Sequence, residues 1–228
     1  MIIITGASKG IGNFLFEKYK TNGLKVLGTF NSSLLESKNQ ELLYKVDISN
    51  FSEVKNWIDQ IENKLEKIVL INCAGISYNS FAHKAEVEKW EQVIKVNLIG
   101  TFNVIRCLLP IMRKQNYGRI INFSSVTAQM GTPGISAYAA SKSAMWGMTK
   151  SLAVENGLKG ITINNINLGY ADIGMGINDV PMEYAEKIKK RIPSNKFCSP
   201  DDIYNTVEYL IGTNYINGSS IDLNGGIF

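Results

Sequence analysis

The sequence predicts an α/β fold of the doubly wound, Rossmann type: a mostly parallel seven-stranded sheet with helices on both faces. Short apolar runs alternate along the chain with longer amphipathic stretches, which is the order of elements in such folds. Several runs are apolar throughout, as expected of strands that are buried on both faces of a parallel sheet. The 228 residues, of which 45% are hydrophobic, are sufficient for one domain with a sizeable core.

The predicted elements follow from these patterns in chain order. Seven short runs predict strands at residues 2–5, 25–29, 43–46, 68–72, 119–124, 161–166 and 219–223. Amphipathic periodicity predicts helices at residues 12–22, 52–65, 87–115, 137–156 and 200–211. No linker or repeat divides the chain, so residues 1–228 are predicted to form a single domain. Ligands of such sheets bind beyond the carboxyl ends of the strands, so the residues after each run are candidates for a site.

Composition and charge narrow the classes of protein that the chain can represent. The net charge of +4 comes from lysines scattered along the chain, so no nucleic-acid partner is predicted. Cys73, Cys107 and Cys198 lack paired metal-ligand spacing and indicate reduced thiols in a cytoplasmic protein. With His83 as the sole histidine, no metal site is expected. The first apolar run is too short for a signal segment or a membrane span, so no membrane association is predicted.

A glycine-rich loop, T-G-A-S-K-G-I-G at residues 5–12, follows the first predicted strand and precedes an amphipathic helix. Gly6 allows a tight turn, Gly10 allows the backbone to approach a pyrophosphate, and Gly12 allows close packing of helix on strand. The spacing G-x-x-x-G-x-G differs from the more common G-x-G-x-x-G, and three glycines alone would also suit an ordinary turn. The strand before the loop and the helix after it favour a dinucleotide-binding loop.

The residues after the second strand indicate which dinucleotide would bind. An acidic side chain at this point usually bonds the adenosine ribose and disfavours a 2′-phosphate. Here the chain reads G-T-F-N-S-S at residues 28–33, with Asn31 near the position of that acid. Lys9 in the glycine loop would offer a positive charge to the phosphate, although a solvated surface lysine is the alternative. NADP(H) is therefore predicted over NAD(H).

Tyr138 and Lys142 lie four residues apart in Y-A-A-S-K, within a predicted helix, and therefore share one face. A free tyrosine has a pKa of about 10, too high to release a proton readily at neutral pH. We expect the Lys142 ammonium to favour the phenolate, to lower the pKa of Tyr138 and to make the phenol a usable acid or base. Taken alone, the pattern would also suit a partly exposed tyrosine beside a solvated lysine.

Two further polar residues stand where they would complete such a site. Ser125 follows the fifth predicted strand, where its hydroxyl would hydrogen-bond a substrate carbonyl and orient it toward Tyr138. Its neighbour Ser124 is interpreted as a plain loop residue. Asn97 falls inside a helical pattern that asparagine favours poorly. A buried amide there would bridge backbone and water and hold a proton relay, or would be a satisfied core amide.

Together these motifs resemble the short-chain dehydrogenase/reductase family. T-G-A-S-K-G-I-G at 5–12, N-C-A-G at 72–75, Asn97, Ser125 and Y-A-A-S-K at 138–142 occur in the family's order and spacing. The resemblance covers essentially the whole chain. Within the family, the sequence is most similar to the bacterial 3-oxoacyl-[acyl-carrier-protein] reductases.

The resemblance implies a role for each catalytic candidate. Tyr138 would give its proton to the carbonyl oxygen as hydride arrives, and Ser125 would bind and position that oxygen. Lys142 would lower the pKa of the tyrosine and bind the nicotinamide ribose, and Asn97 would hold a water molecule that passes protons to Lys142. The implied cofactor contacts are Gly6, Ala7, Ser8, Lys9, Gly10, Ile11, Gly12, Asn31, Asp47, Ile48, Asn72, Ala74, Gly75, Tyr138, Lys142, Gly169 and Ala171.

The resemblance also implies a function and its partners. The chain would be an NADPH-dependent oxidoreductase reducing a ketone to a secondary alcohol, with 3-oxoacyl groups on acyl carrier protein, in fatty acid biosynthesis, as the leading substrate. The alternatives are a reductase of a sugar, polyol or other small carbonyl compound, and a non-catalytic NADP-binding regulator. Arg113 and Lys114 are similar in location to basic residues that meet the carrier protein, although an ordinary basic helix end would look the same. Helices 87–115 and 137–156 would pair in a homotetramer or homodimer.

Two residues depart from the family's pattern after the sixth strand. Leu168 replaces a proline that stiffens this loop, and Ile173 replaces a threonine whose hydroxyl helps to anchor the nicotinamide carboxamide. Backbone groups near Gly169 and Ala171 would still hold that amide, because they require no particular side chain. The segment at about residues 170–200 is expected to be a substrate lid that carries a short helix.

Overall fold

The computed structural model describes residues 1–32, 41–175 and 182–227. Ser33 and residues 176–181 of the predicted lid lie outside these ranges. The strands are β1 (Ile2–Thr5), β2 (Val26–Phe30), β3 (Leu43–Lys45), β4 (Val69–Asn72), β5 (Gly118–Ser125), β6 (Ile161–Leu168) and β7 (Ser220–Leu223). They form one sheet in the order β3-β2-β1-β4-β5-β6-β7, in which every pair is parallel. The predicted doubly wound fold class is confirmed.

The α-helices within the described ranges fall where the amphipathic patterns predict them, with one addition in the lid. They are α1 (Gly10–Thr21), α2 (Phe51–Ile61), α3 (Val87–Ile94), α4 (Thr101–Gln115), α5 (Ser136–Asn156), α6 (Met182–Lys189) and α7 (Pro200–Gly212). The short helix expected in the lid is α6.

The third predicted helix is one continuous helical run, but it is not uniform. Six residues of π-helix, Lys95–Gly100, join α3 to α4 and form a wider turn. A Cβ atom on Gly100 would lie 2.8 Å from Cγ1 of Ile48, so glycine allows the run to pack closely there. The Thr101 hydroxyl donates to the Asn97 carbonyl oxygen at 2.7 Å and satisfies an acceptor within the wide turn.

The same run, Val87–Gln115, is the one helix in the described ranges that is long and apolar enough to cross a membrane, with a mean hydropathy of 1.4. Core helices pass this test as well, and here Val104, Leu108 and Met112 of α4 are fully buried against the sheet. The expectation of no membrane association stays a prediction.

The sheet separates two apolar layers. Ile3 belongs to the layer that includes buried residues of α2, α4 and α5, whereas Ile2 and Ile4 belong to the layer that includes buried residues of α1 and α7. Because helices cover both faces of the sheet, successive residues of a central strand are all buried, whichever face they point to. This explains the unbroken apolar run at the start of the chain. The carboxyl ends of the strands remain free to form a site.

Candidate active site

A cavity of about 730 Å³ opens at the carboxyl ends of the strands, where this fold class places ligands. Ser125, at the end of β5, shares its wall with Tyr138 and Lys142 of α5. The first turn of α1 and the loops after β4 and β6 contribute further wall residues: Ile11, Cys73, Gly75, Gly169, Tyr170, Ala171 and Ile173.

The start of α5 sets the relation between the phenol and the ammonium. The helix begins at Ser136, so Tyr138 and Lys142 lie about one turn apart near its N-terminus. The Lys142 Nζ lies 5.5 Å from the ring centroid of Tyr138 and donates to the Phe123 carbonyl oxygen at 2.6 Å. Lys142 is only 4% exposed, and burial lowers the pKa of its ammonium to about 8. The lysine is therefore largely charged at neutral pH and titrates just above it.

The pKa of Tyr138 moves in the direction opposite to the prediction. Burial raises it above its ordinary value, and a hydrogen bond with Ser125 only partly offsets that rise. The prediction of a lowered pKa for Tyr138 is wrong for the chain itself, because the effect of burial dominates, and the Lys142 ammonium donates its hydrogen bond to the Phe123 carbonyl rather than to the phenol. The phenol consequently stays protonated across the neutral range, which suits a proton donor.

Asn97 ties three elements together from within the π-helical turn, where it is fully buried. Its Oδ1 accepts from the Ile76 amide at 2.8 Å, and its Nδ2 donates to the Ile76 carbonyl at 2.9 Å and to Ser141 Oγ at 3.1 Å. These hydrogen bonds satisfy the amide and join the loop after β4 to α5 next to Lys142. A proton-relay role for Asn97 stays a prediction.

Ser124, interpreted from the sequence as a plain loop residue, is instead a buried residue of β5 that holds α5 in place. Its hydroxyl donates to the Lys142 carbonyl at 3.0 Å and accepts from Nε1 of Trp146 at 3.2 Å. The same indole N–H also lies 3.0 Å from Oδ1 of Asn167. The loop interpretation was wrong because the role of Ser124 depends on the register of β5 against β6, which puts Ser124 opposite Asn167.

A second set of polar side chains fastens α5 further along the helix. We call it the polar ladder; it crosses five strands in register and consists of Thr5, Asn72, Asn122, Asn165 and Ser220. Asn72 donates to Asn122 at 2.8 Å, and Asn165 donates to Ser220 at 3.0 Å. Thr149 of α5 donates to Asn165 at 2.7 Å and accepts from Asn122 at 3.1 Å. Hydrogen bonds inside the protein therefore anchor the helix that carries Tyr138 and Lys142.

The glycine loop has the geometry that a dinucleotide requires. Gly6 has a φ of +68°, and a Cβ atom there would lie 2.8 Å from Cα of Ala74. A Cβ atom on Gly12 would lie 2.3 Å from the Gly6 carbonyl oxygen, so the turn closes tightly on itself. The helix α1 starts at Gly10 and offers its first N–H groups to an anion, with the exposed Lys9 as the preceding cap residue. These residues fit a bound pyrophosphate.

Comparison with known proteins agrees with this geometry. The family model described as short chain dehydrogenase matches residues 1–183. The chain belongs to the short chain dehydrogenase family. It is accordingly an oxidoreductase, and its family binds a nicotinamide cofactor.

Several relatives within the family are similar over nearly their whole length. The chain is 35% identical to the acetoacetyl-CoA reductase of Rhizobium meliloti (strain 1021), covering 98% of this chain and 96% of the relative. It is 34% identical to the 3-oxoacyl-[acyl-carrier-protein] reductase FabG of Rickettsia bellii (strain RML369-C), covering 99% and 95%. The crystal structure of a 3-oxoacyl-[acyl-carrier protein] reductase from Brucella melitensis ATCC 23457 superimposes with a TM-score of 0.89 at 28% identity, covering 99% of this chain and 90% of that one.

The cofactor contacts implied by the family pattern fall into two groups. Those that line the cavity are Ile11, Gly75, Tyr138, Lys142, Gly169 and Ala171. Those that lie outside its wall, in or just after β1 to β4, are Gly6, Ala7, Ser8, Lys9, Gly10, Gly12, Asn31, Asp47, Ile48, Asn72 and Ala74. The cavity wall therefore carries six of the implied contacts, and the other eleven lie in the glycine loop and at the ends of β2 to β4.

Asp47 and Ile48, two of the residues outside the cavity, are engaged by the chain itself. Oδ1 of Asp47 accepts from the amide and the hydroxyl of Ser49, at 2.9 and 2.7 Å, and fixes the turn after β3. The Ile48 side chain is buried against Gly100, and its carbonyl accepts from Asn103 at 3.0 Å. Contact of these two residues with adenine stays a prediction.

The two departures from the family pattern change the loop after β6. Leu168 continues β6 and pairs with Leu223, so regular pairing extends to the edge of the cavity. Ile173 lines the cavity and packs on the apolar layer that includes α1, which places a branched alkyl group where the family has a hydroxyl. Close by, the loop meets the glycine loop: a Cβ atom on Gly10 would lie 3.2 Å from Cα of Gly174.

Proposed function

We propose that the chain is an NADPH-dependent reductase that converts 3-oxoacyl thioesters to their 3-hydroxyacyl products. The observation that carries the proposal is the presence of Ser125, Tyr138 and Lys142 on one cavity wall whose outer part is largely apolar. The residues of that outer wall are Val126, Pro133, Ile135, Tyr170, Met175 and Ile188. Such a wall suits an acyl chain better than a sugar or polyol, whose hydroxyls would lose hydrogen bonds with water.

The proposed mechanism assigns proton delivery to the chain. When bound, a nicotinamide cofactor would supply the hydride chemistry. Ser125 would donate a hydrogen bond to the carbonyl oxygen and hold it near Tyr138. Tyr138 is protonated because burial raises its pKa, and it gives its phenolic proton to the oxygen as negative charge develops there. The Lys142 ammonium, 5.5 Å from the ring centroid, then stabilises the phenolate that remains.

The choice of NADPH over NADH rests on charge around the adenosine end of the site. Asn31 and Ser32, the described residues that follow β2, are exposed and uncharged, so no carboxylate of theirs would repel a 2′-phosphate. Lys9 is exposed at the start of α1, within the loop that would hold the phosphates. A cation without an opposing acid favours the cofactor that carries the additional phosphate.

A second, smaller cavity supports an extended substrate. It measures about 80 Å³ and shares Thr132, Pro133, Tyr170 and Ile188 with the main cavity, and Arg191 stands on its wall. An acyl thioester whose ketone lies at Tyr138 would run along this route, so that its anionic carrier meets a guanidinium. The carrier is coenzyme A or acyl carrier protein; relatives named for each are similar to this chain.

The proposal also covers the domain organisation, the cellular location and the oligomeric state of the chain. Residues 1–228 would act as a single domain with a lid at about residues 170–200, in the cytoplasm. Ile99 and Phe102 on the long helical run, and Val154 and Leu158 at the end of α5, are exposed apolar side chains. They support pairing of these helices in a homotetramer or homodimer, because large apolar side chains left exposed on a helix are suited to contact with a partner chain.

The test is reduction by the purified chain of a 3-oxoacyl-CoA, followed by loss of the nicotinamide absorbance with NADPH and, separately, with NADH. We expect turnover that prefers NADPH, and we expect Tyr138→Phe to lose at least about 100-fold in kcat/KM while keeping its melting temperature. Full activity in Tyr138→Phe would overturn the mechanism.

A substrate panel decides between the two classes of carbonyl compound. Ser77 and Asn79 also line the cavity and are the groups that would bind sugar hydroxyls. Turnover of ketoses or polyol-derived ketones above that of 3-oxoacyl thioesters would favour the alternative function and reject the acyl substrate.

A further inference from the structure

Lys142 is held against β5 by its side chain and by its backbone. Its Nζ donates to the Phe123 carbonyl oxygen at 2.6 Å, and its own carbonyl oxygen accepts from the Ser124 hydroxyl at 3.0 Å. Phe123 and Ser124 are consecutive residues of β5, so one short piece of strand holds both the ammonium and the backbone of the lysine. The position of the ammonium beside Tyr138 therefore depends on the hydrogen bond that Ser124 donates.

Trp146, one helical turn after Lys142, determines where the Ser124 proton points. The Nε1 atom of Trp146 lies 3.2 Å from Ser124 Oγ and 3.0 Å from Asn167 Oδ1, and its N–H donates to both oxygens. Ser124 and Asn167 are buried and face each other on adjacent strands. Because the indole N–H serves both oxygens, neither needs a proton from the other. The single proton of Ser124 is left to bond the Lys142 carbonyl.

Asn167 is itself fixed from the next strand. It faces Asp222 of β7, and its Nδ2 donates to Oδ1 of Asp222 at 2.7 Å. If the amide turned over, its oxygen would face the carboxylate and this hydrogen bond would be lost. Oδ1 of Asn167 consequently stays directed at the indole. Ser124, Asn167 and Asp222 thus form a polar row across three strands, and Trp146 joins that row to α5.

We propose that Trp146 is a positioning residue whose indole N–H, acting through Ser124, keeps the Lys142 ammonium in place beside Tyr138. The inference rests on the proposed function for the use of that ammonium. Without the indole N–H, Oδ1 of Asn167 lacks a donor, and the Ser124 hydroxyl turns to it at the expense of the Lys142 carbonyl. The lysine then loses one of the two hydrogen bonds that hold it against β5.

The chain offers a matched control on another helix. Nε1 of Trp57, on α2, is buried and has no hydrogen-bond partner among the described residues, and Trp57 lines neither cavity. A change from tryptophan to phenylalanine removes the N–H and part of the ring at either position. It breaks the hydrogen bonds described above only at Trp146. Trp57→Phe therefore measures the effect of the lost ring volume alone.

The first measurement is the titration of Lys142 by NMR of protein with isotope-labelled lysine, assigned with Lys142→Met. In the wild type the pKa should be about 8, because burial lowers it; the titratable groups near the ammonium are the Tyr138 phenol and the Cys73 thiol. In Trp146→Phe and in Ser124→Ala the pKa should rise to about 9, because a lysine that is held less firmly gains contact with water. Trp57→Phe should leave it unchanged.

The second measurement is the reduction of a 3-oxoacyl N-acetylcysteamine thioester with NADPH. In Trp146→Phe kcat should fall about tenfold while KM for the thioester changes less than about twofold, because proton delivery is affected and the apolar wall is not. Ser124→Ala should lose a similar factor. The double variant should lose little more than either single variant, because both changes act through one hydrogen bond. Trp57→Phe should keep the wild-type kcat.

An unchanged pKa of Lys142 in Trp146→Phe overturns the inference, whatever the activity. A loss of kcat that Trp57→Phe shares, or that simply adds up in the double variant, also overturns it, because the effect would not pass through Ser124. If Trp146→Phe does not fold, judged by its melting temperature, Ser124→Ala decides with the same expected rise of the pKa. A wild type inactive on the thioester rejects the proposed function, and the titration then decides the inference alone.

Discussion

Where α5 meets the sheet, which we call the seam, hydroxyls and amides form hydrogen bonds with one another. The outer wall of the cavity, in contrast, consists mainly of apolar side chains. At the seam, Asn165 has partners at both ends of its amide, and Ser124 both donates and accepts. On the wall, the side chains of Val126, Ile135 and Ile188 offer no hydrogen-bonding group. The chain thus completes the hydrogen bonds that position the proposed catalytic groups, whereas the outer wall offers mainly apolar surface to a substrate.

The largest effect is expected at Lys142, which lies on α5 and also lines the main cavity. Lys142→Met removes the buried cation and should lower kcat/KM for ketone reduction by at least about 100-fold. The same change should raise the melting temperature at pH 7, because burial disfavours the charged ammonium in the folded state. NADPH oxidation and thermal unfolding of the same preparations provide the two measurements. A variant that keeps its activity would contradict the role assigned to the cation.

The pH dependence of stability and activity distinguishes the effect of the charge on Lys142 from the effect of its packing. The pKa of Lys142 is about 8 in the folded chain against an ordinary 10.5, so the unfolded chain binds more protons between these values. Stability due to this group therefore rises with pH across that window, and the excess melting temperature of Lys142→Met should shrink from pH 8 toward 10.5. Over the same range the wild-type kcat/KM for reduction should fall as the ammonium is lost. If the excess melting temperature of Lys142→Met did not change with pH, it would not arise from the titration of Lys142.

An intermediate effect is expected from breaking the seam at Asn165. Asn165→Leu removes the acceptor of the buried Thr149 hydroxyl, one of the two acceptors of the buried Asn122 amide and a donor to the part-buried Ser220, and should lower the free energy of unfolding by about 2–4 kcal/mol. Urea denaturation measures the loss, and Asn205→Leu, at an exposed position of α7, is the control, with a change below about 0.5 kcal/mol.

A double variant sharpens the same comparison. Adding Thr149→Val to Asn165→Leu removes one of the hydroxyls that the first change leaves unpaired, so the pair should cost less than the sum of the single changes. If the two changes in the free energy of unfolding were strictly additive, the two side chains would not be coupled, and the hydrogen bond between them would not contribute to the stability of the seam.

The smallest effect is expected at Arg191, on the wall of the smaller cavity. Arg191→Gln should raise KM for a 3-oxoacyl-CoA by about three- to fivefold, because an exposed cation contributes little to binding. KM for the N-acetylcysteamine thioester, which has no phosphate, should not change. Lys159→Gln, an exposed change just after α5, is the matched control. Equal effects on both thioesters would show that Arg191 does not meet the anionic carrier.

The sequence was most informative where local pattern determines structure. The seven strands and their parallel sheet follow from short apolar runs, since strands buried on both faces need them. The Y-A-A-S-K spacing was sufficient to place Tyr138 and Lys142 one turn apart, because helical periodicity is a local property. Ser125 joins them on the cavity wall because it ends a strand of a parallel sheet.

The features that escaped prediction depend on contacts between distant segments. Ser124 is a seam residue only because β5 and β6 pair in the register that faces it with Asn167. The pKa of Tyr138 depends on burial, which the four-residue spacing to Lys142 does not reveal. The π-helical turn at Asn97 replaces a regular helix where Gly100 packs on Ile48, a contact across more than fifty residues of chain.

Because each rung of the polar ladder supplies the partner of the next, the positions are not free to change one at a time during evolution. Positions 72, 122, 165 and 220 should therefore covary as a block among homologues, with amides replaced together rather than singly. Recombinants spliced between β5 and β6 would inherit half of the ladder from each parent, and those whose parents differ at these rungs should be under-represented among the functional progeny.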